Sequence, residues 1–159
     1  MNKPLKNILF NIAIALAIAM FFISDQTLKY LARNLQPQEI IPLLTGLFDF
    51  RFTPNYYIAF SIPLNGYLLN LSIIAMIVGL LIYLLYLIRK KKNSFDIICL
   101  SIMISGAISN LIDRLSYGYV IDYLYLSNFT VFNLADMMIS IGALALIIRN
   151  LKKTATANL

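Results

Sequence analysis

Residues 8–29 read ILFNIAIALAIAMFFISDQTLK, a 16-residue apolar run (Ile8–Ile23) that leads without a break into Asp25 and Lys29. A helix rises 1.5 Å per residue and a bilayer's hydrocarbon core is about 30 Å thick. The run itself spans only about 24 Å, so a helix here must carry Asp25 and Lys29 along to finish the crossing. No small-x-small cleavage signal follows; Met20-Phe21-Phe22-Ile23 is bulky throughout, which predicts a retained membrane helix rather than a removed leader.

Three further apolar stretches follow, Leu64–Ile88, Phe95–Ile112 and Leu134–Ile148. The chain is 159 residues long, 60% hydrophobic and only 13% charged, with a mean hydropathy of +0.80. Soluble domains carry about 25% charged residues, so that class is excluded. The expected fold is mostly α and polytopic: one integral-membrane domain over 1–159. Transmembrane helices are placed at about 8–31, 64–88, 95–114 and 133–149, and β-containing outer segments at about 40–62 and 116–131. Histidine is absent, which rules out Ser-His-Asp and Cys-His catalysis and imidazole metal sites. No metal or cofactor is expected. The lone Cys99 sits in an apolar run and reads as a small buried hydrophobe.

The net charge of +6 is a matter of distribution. Lys3, Lys6, Arg89, Lys90, Lys91, Lys92, Arg149, Lys152 and Lys153 lie on one side of the four spans, with Asp96 as their single acid. Lys29, Arg33, Arg51 and Arg114 lie on the other, with six acids. The positive-inside rule places both termini and the 89–92 loop in the cytoplasm. The excess cations read as topology signals and membrane-lipid contacts, not as a nucleic-acid footprint.

Depth is informative. Asp25 lies about 28 Å above Lys6, Asn110 about 22 Å above Phe95, and Asp136 about 20 Å above Arg149. Three helices thus deliver acids and amides to a similar level of the outer leaflet, where an ionisable group is expensive unless something uses it. In Leu47-Phe48-Asp49-Phe50-Arg51-Phe52 and in Tyr119-Val120-Ile121-Asp122-Tyr123-Leu124-Tyr125, a period-2 pattern predicts strands in a small sheet on the outer surface. The Tyr and Phe residues are expected to form the interfacial belt, and Arg33–Ile41 has room for a short interfacial helix.

Each polar group admits a plain reading. Asp25 and Lys29 are spaced i,i+4 in the order that favours a helical ion pair. Asn110, Asp113 and Arg114 share one helical face, where Asp113 and Arg114 can neutralise each other. Asn133 and Asp136 have the spacing of a capping box. Asp122, with no cation nearby in sequence, reads as a solvated edge carboxylate. The functional reading joins them: Asp122 on an outer strand and Asp136 atop the fourth helix face each other across a semi-enclosed pocket. Two close carboxylates hold one proton between them. The ionised one then deprotonates water while the other donates to a peptide carbonyl. A Ser24–Lys29 peptidase fits poorly, because residues five apart lie some 140° apart around a helix.

Four segments in order resemble the bacterial lipoprotein signal peptidases (signal peptidase II): Asp25-Gln26-Thr27-Leu28-Lys29; Asn55-Tyr56-Tyr57-Ile58-Ala59-Phe60; Ser109-Asn110-Leu111-Ile112-Asp113-Arg114, running through Gly118 to Val120-Ile121-Asp122-Tyr123; and Phe132-Asn133-Leu134-Ala135-Asp136. Two positions depart from the family's usual glycines, Tyr57 and Ser109. The resemblance implies four transmembrane helices with a periplasmic β-cradle and a short interfacial helix. It also implies an aspartic endopeptidase of the bacterial inner membrane that cuts diacylglyceryl-modified prolipoproteins before the lipidated Cys, without a cofactor. Asp122 and Asp136 match the catalytic dyad. Asn55, Asn110, Asp113, Arg114 and Asn133 match supporting or substrate-positioning residues, and Asp25 and Lys29 match the network around the site. Expected partners are prolipoprotein substrates, membrane lipids and globomycin-type inhibitors, with the chain a monomer. The alternatives are a proton-coupled carrier, since intramembrane acids also mark relays, and a non-catalytic lipoprotein-binding protein.

Overall fold

A computed structural model of the chain describes residues 3–56, 66–91, 93–127 and 129–157. Its elements are α1 (Lys3–Arg33), β1 (Ile41–Leu44), β2 (Phe48–Asn55), α2 (Tyr67–Arg89), α3 (Ser94–Tyr117), β3 (Val120–Leu126), β4 (Thr130–Phe132) and α4 (Leu134–Ala157). All four helices are long and apolar enough to cross a membrane. Tyr57, Ile58, Ala59 and Phe60 of the second motif lie outside the described residues.

The bundle is inside-out relative to a soluble protein. Ile8, Leu16, Met20 and Ile23 of α1 are exposed, as lipid-facing residues should be, while Asp25 and Lys29 on the same helix are buried. Lipid tails are as apolar as leucine, so no hydrophobic force draws such helices together; close packing and interhelical polar contacts do. Helix α3 is the hub, packing against α1, α2 and α4. Against α2 it sets a leucine-rich contact of Leu87, Leu100 and Ile104. Against α4 it uses glycine: a Cβ placed on Gly106 would sit 2.5 Å from the Ala135 carbonyl oxygen, and one on Gly142 would sit 2.8 Å from the Cys99 carbonyl oxygen. No side chain fits either point, so the two backbones touch.

Helix α3 begins at Asn93, whose side chain accepts the Phe95 N–H. It ends at Gly118, in left-handed backbone at φ 81°, with its N–H on the Arg114 carbonyl. Glycine takes that conformation without strain, and the chain turns at once into β3. The sheet is antiparallel, in the order β1-β2-β3-β4. Its central pairing, β2 with β3, joins segments that α2 and α3 separate in sequence. Between Phe50↔Leu124 and Thr53↔Asp122, two residues of β2 oppose one of β3, a β-bulge. Beyond it Asn55 pairs with Val120, one diagonal step from Asp122.

Three expectations need correction. The stretch Asn34–Ile40 is a turn, not an interfacial helix. Pro37 disfavours helical backbone at Gln36 and donates no hydrogen bond; Gln38 is left-handed at φ 67°; and Glu39 accepts the Gln36 N–H at 2.8 Å, closing the turn on itself. The period-2 pattern does not become alternating exposure at the inner end of β3, where Val120, Ile121, Asp122 and Tyr123 are all buried. There β3 pairs only with β2, since β4 begins opposite Leu124; Ala32 and Leu28 of α1 cover the face where Ile121 and Tyr123 pack, and the Asp113 and Asn133 side chains bond the open edge at Ile121. Tyr123 therefore belongs to the interior and not to the interfacial belt.

The α3–α4 contact gives a direct test. Gly106→Val should lower the unfolding temperature in detergent by the equivalent of about 1–3 kcal/mol, the usual cost of overpacking. Gly79→Ala on α2, with open space around it, should leave that temperature unchanged or raise it.

Candidate active site

Asp25, Lys29, Asp113, Asp122 and Asn133 are only 0–2% exposed. Buried charges of this kind survive only if paired and hydrogen-bonded. Lys29 Nζ lies 2.9 Å from Asp25 Oδ2 and 2.8 Å from Asp113 Oδ2. It donates to Asn110 Oδ1 at 2.9 Å and reaches Ser109 Oγ at 3.4 Å. One ammonium thus ties α1 to α3. Asp113 is completed by the Ile121 N–H of β3 at 3.2 Å, so it serves Lys29 and the strand rather than only its neighbour Arg114.

Asp25 is the second tie. Its Oδ2 accepts from Ser109 Oγ at 2.5 Å. Its Oδ1 accepts from the Tyr123 hydroxyl at 2.9 Å and from the Ala135 N–H at 3.1 Å. The Tyr123 oxygen in turn accepts the Leu134 N–H at 3.0 Å. The first backbone donors of α4 are orphans by helix geometry, and here α1 and β3 satisfy them. Burial and the adjacent Asp25 push the Tyr123 hydroxyl above its ordinary range, which keeps it a donor.

Asn133 and Asp136 do form the capping box: Asn133 Oδ1 accepts the Asp136 N–H at 2.8 Å, and Asp136 Oδ2 accepts the Asn133 N–H at 3.3 Å. Yet the same asparagine uses its amide nitrogen elsewhere. Asn133 Nδ2 donates to Asp122 Oδ1 at 2.8 Å, with Asn110 Oδ1 and the Ile121 carbonyl at 3.2 and 3.3 Å. Asn110 Nδ2 donates to Asp136 Oδ1 at 2.8 Å, and Asn55 Nδ2 to Asp122 Oδ2 at 2.9 Å. Asp122 and Asp136 are therefore bridged by one residue, and each carboxylate is held by two N–H donors.

The structure brings Asp25, Lys29, Asn55, Asn110, Asp113, Asp122, Asn133 and Asp136, all singled out in the sequence, into one continuous network. Arg114 is buried at the same end, and its charge acts on Asp113, Asp122 and Asp136. Asp122 is not the solvated edge carboxylate of its plain reading. Burial first, and the charge of Asp136 second, push its carboxyl up to about 7, against the lowering pull of Asn55, Asn133 and Lys29. The sequence reading missed three participants. Tyr123 patterns with the belt, Ser109 stands out only as a replaced glycine, and Gln26, which donates to Ser109 Oγ at 2.8 Å, carries no pattern of its own. Gln26 adjoins Asp25 and Ser109 adjoins Asn110; adjacency to a buried ion on a helix was the available signal.

Four membrane-crossing helices with a buried acid–amide cluster at one end and a sheet beside it define a multi-pass membrane protein of enzymatic character. Residues 16–152 match the family model for signal peptidase (SPase) II. The lipoprotein signal peptidase of Sinorhizobium fredii is 39% identical over 158 residues, covering 94% of this chain and 93% of its own length. That of Nostoc punctiforme is 37% identical over 155 residues, covering 96% of each. A bacterial membrane enzyme solved by the in meso method at 2.3 Å resolution superposes with a TM-score of 0.79 at 25% identity, covering 91% of this chain and 90% of that one. A second, at 1.9 Å resolution, gives 0.73 at 27% identity, covering 88% and 93%. The chain belongs to the signal peptidase II family.

The Lys29 tie predicts a steep penalty when it is cut. Lys29→Met strands Asp25 and Asp113 without their counter-ion, and breaking such a buried pair costs about 3–5 kcal/mol. Thermal unfolding in detergent should show that loss. Adding Asp113→Asn to Lys29→Met should cost less than the sum of the two single changes, because the carboxylate left behind is no longer charged.

Proposed function

We propose that the protein is an aspartic endopeptidase of the bacterial inner membrane, with Asp122 and Asp136 as its dyad, that removes the signal peptide from diacylglyceryl-modified prolipoproteins by cutting before the lipidated Cys. Family membership and the named relatives support the substrate class. The observation that carries the chemistry is the bridged pair, two buried carboxylates joined through Asn133, one with its carboxyl raised to about 7.

In the proposed reaction Asp136, in the first turn of α4, where the helix N-terminus favours negative charge, accepts a proton from a water. The water oxygen attacks the scissile carbonyl carbon, and Asp122 gives its proton to the carbonyl oxygen. Collapse of the tetrahedral intermediate breaks the C–N bond. The proton held by Asp136 passes to the departing amine, and the oxygen proton returns to Asp122. Each carboxyl ends as it began. Asn55, Asn110 and Asn133 hold both carboxylates in place, and Arg114 offsets part of the negative charge. Both termini and the 89–92 loop lie in the cytoplasm in this reading, with the dyad at the periplasmic side. There a lipidated cysteine and the end of an apolar signal helix arrive together from the bilayer. Membrane lipids surround the single domain, globomycin-type peptides block the site, and the chain acts as a monomer.

The test is cleavage of a diacylated precursor by purified protein in detergent, read by gel shift. Asp122→Asn and Asp136→Asn should each lower turnover by about 10²–10⁴-fold, the range for loss of a general acid or base, with normal expression. Substantial turnover by either variant refutes the dyad. Activity should also fall as pH rises through about 7, where Asp122 loses the proton it must donate. Removing the Asn55 hydrogen bond, which favours the ionised form, should move that alkaline limb to higher pH in Asn55→Ala; a limb that stays put argues that another group sets it.

A further inference from the structure

At the end of the bundle opposite the dyad, α3 and α4 frame a cleft of about 450 Å³ lined by Asn93, Phe95, Ala145, Ile148, Arg149 and Lys152. Its α4 wall is a single helical stripe. Ala145, Ile148, Arg149 and Lys152 are spaced i, i+3, i+4 and i+7, so they share one face. The stripe is apolar toward the membrane interior and cationic at its outer end. Phe95 forms the facing wall from the first turn of α3. Arg149 sits 13 residues, about 20 Å, along the helix from Asp136, so the cleft is independent of the catalytic cluster.

The cationic end is organised. Asp96 pairs with Arg149, and the guanidinium lies 5.3 Å from the centre of the Phe95 ring. Arginine carries five N–H donors in a fixed fork, and among the described residues Asp96 is its hydrogen-bonding partner. The pair therefore orients the fork without using all of it, and neutralises one charge of two. Lys152 is exposed on the same stripe and supplies the uncompensated positive charge. The N-terminus of α3, at Asn93 and Phe95, adds to the positive potential. An apolar groove that opens onto a positive rim at the membrane surface matches an amphiphile with one anionic head and acyl chains.

We propose that this cleft binds an anionic glycerophospholipid of the leaflet opposite the dyad, its phosphate diester on Arg149 and Lys152 and an acyl chain in the groove between Phe95 and Ala145. The alanine leaves the space for the chain. Basic pockets between transmembrane helices are recurrent sites for such headgroups.

The experiment is titration of the purified full chain in detergent with phosphatidylglycerol and with phosphatidylcholine, counting bound lipid by native mass spectrometry. Phosphatidylglycerol should bind in preference. Lys152→Gln should weaken it roughly fivefold, the worth of one cation beside an anionic head. Lys153→Gln makes the same charge change about 100° further round the helix and should leave binding within about twofold. Ala145→Phe keeps every charge and fills the groove, so it should lower phosphatidylglycerol binding at least as much as Lys152→Gln does. Arg149 is left intact, since its loss would strand Asp96. Equal effects at Lys152 and Lys153, or full binding by Ala145→Phe, would mean that diffuse surface charge holds the lipid and would overturn the site. So would equal affinity for the two lipids, or competition by inorganic phosphate at matched concentration, which would leave the acyl chain no part.

Discussion

An ammonium group cannot be left bare inside a membrane protein, and much of this molecule is arranged around that of Lys29. Burying a charge away from water is costly unless it is paired and hydrogen-bonded. Lys29 is buried, with Asp25 at 2.9 Å and Asp113 at 2.8 Å. Once those two carboxylates are committed, the rest follows in order. Asp25 fixes Tyr123 and the first N–H groups of α4; Asp113 fixes the backbone of β3 at Ile121; Lys29 itself orients Asn110. The sheet and the fourth helix, which bear the two proposed catalytic carboxyls, are thus indexed to one cation on the first helix.

Asparagine makes the last connection, and the choice of side chain is instructive. A carboxamide offers an acceptor and a donor at once. At Asn133 the acceptor caps α4 through Asp136 while the donors reach Asp122, so helix initiation and alignment of the proposed dyad are one structural event. Aspartate, when ionised, has no donor and would repel Asp122, and serine's single O–H could not replace the two N–H donors that Asn133 turns toward Asp122, Asn110 and the Ile121 carbonyl. Asn110 repeats the device, accepting from Lys29 and donating to Asp136.

Much of this was legible in the chain because a membrane simplifies the reading. Apolar length alone gives the four helices, and counting 1.5 Å per residue from the charged flanks puts Asp25, Asn110 and Asp136 at one level before any contact is known. What could not be read were facts of pairing. That Asp113 serves Lys29 and Ile121 depends on the register between α1, α3 and β3, which no local pattern encodes. Tyr123 departs from the belt pattern because alternation reports which residues share a face, not whether both faces are covered; the packing of Ala32 and Leu28 of α1 hides a tyrosine that a bare strand would show. The expected helix after Arg33 failed on local grounds, a proline and a left-handed glutamine that overrode the interfacial pattern.

The proton count of the dyad follows from the same pairing. Four carboxylates, Asp25, Asp113, Asp122 and Asp136, meet two cations, Lys29 and Arg114, in a space with little water. Asp25 and Asp113 hold Lys29 directly, so that trio already carries a net negative charge. Arg114, whose charge acts on Asp122, Asp136 and Asp113, is shared among them, so two cations face four carboxylates. The first negative charge on Asp122 and Asp136 is spread over amide donors from Asn55, Asn110 and Asn133 and the end of a helix, but a second would be a bare excess in a low dielectric. One shared proton is therefore a property of the whole cluster. Asp25 and Asp113 occupy Lys29, which would otherwise help a second charge onto the pair, so residues outside the proposed bond-making steps favour the one-acid, one-base state that the proposed chemistry needs.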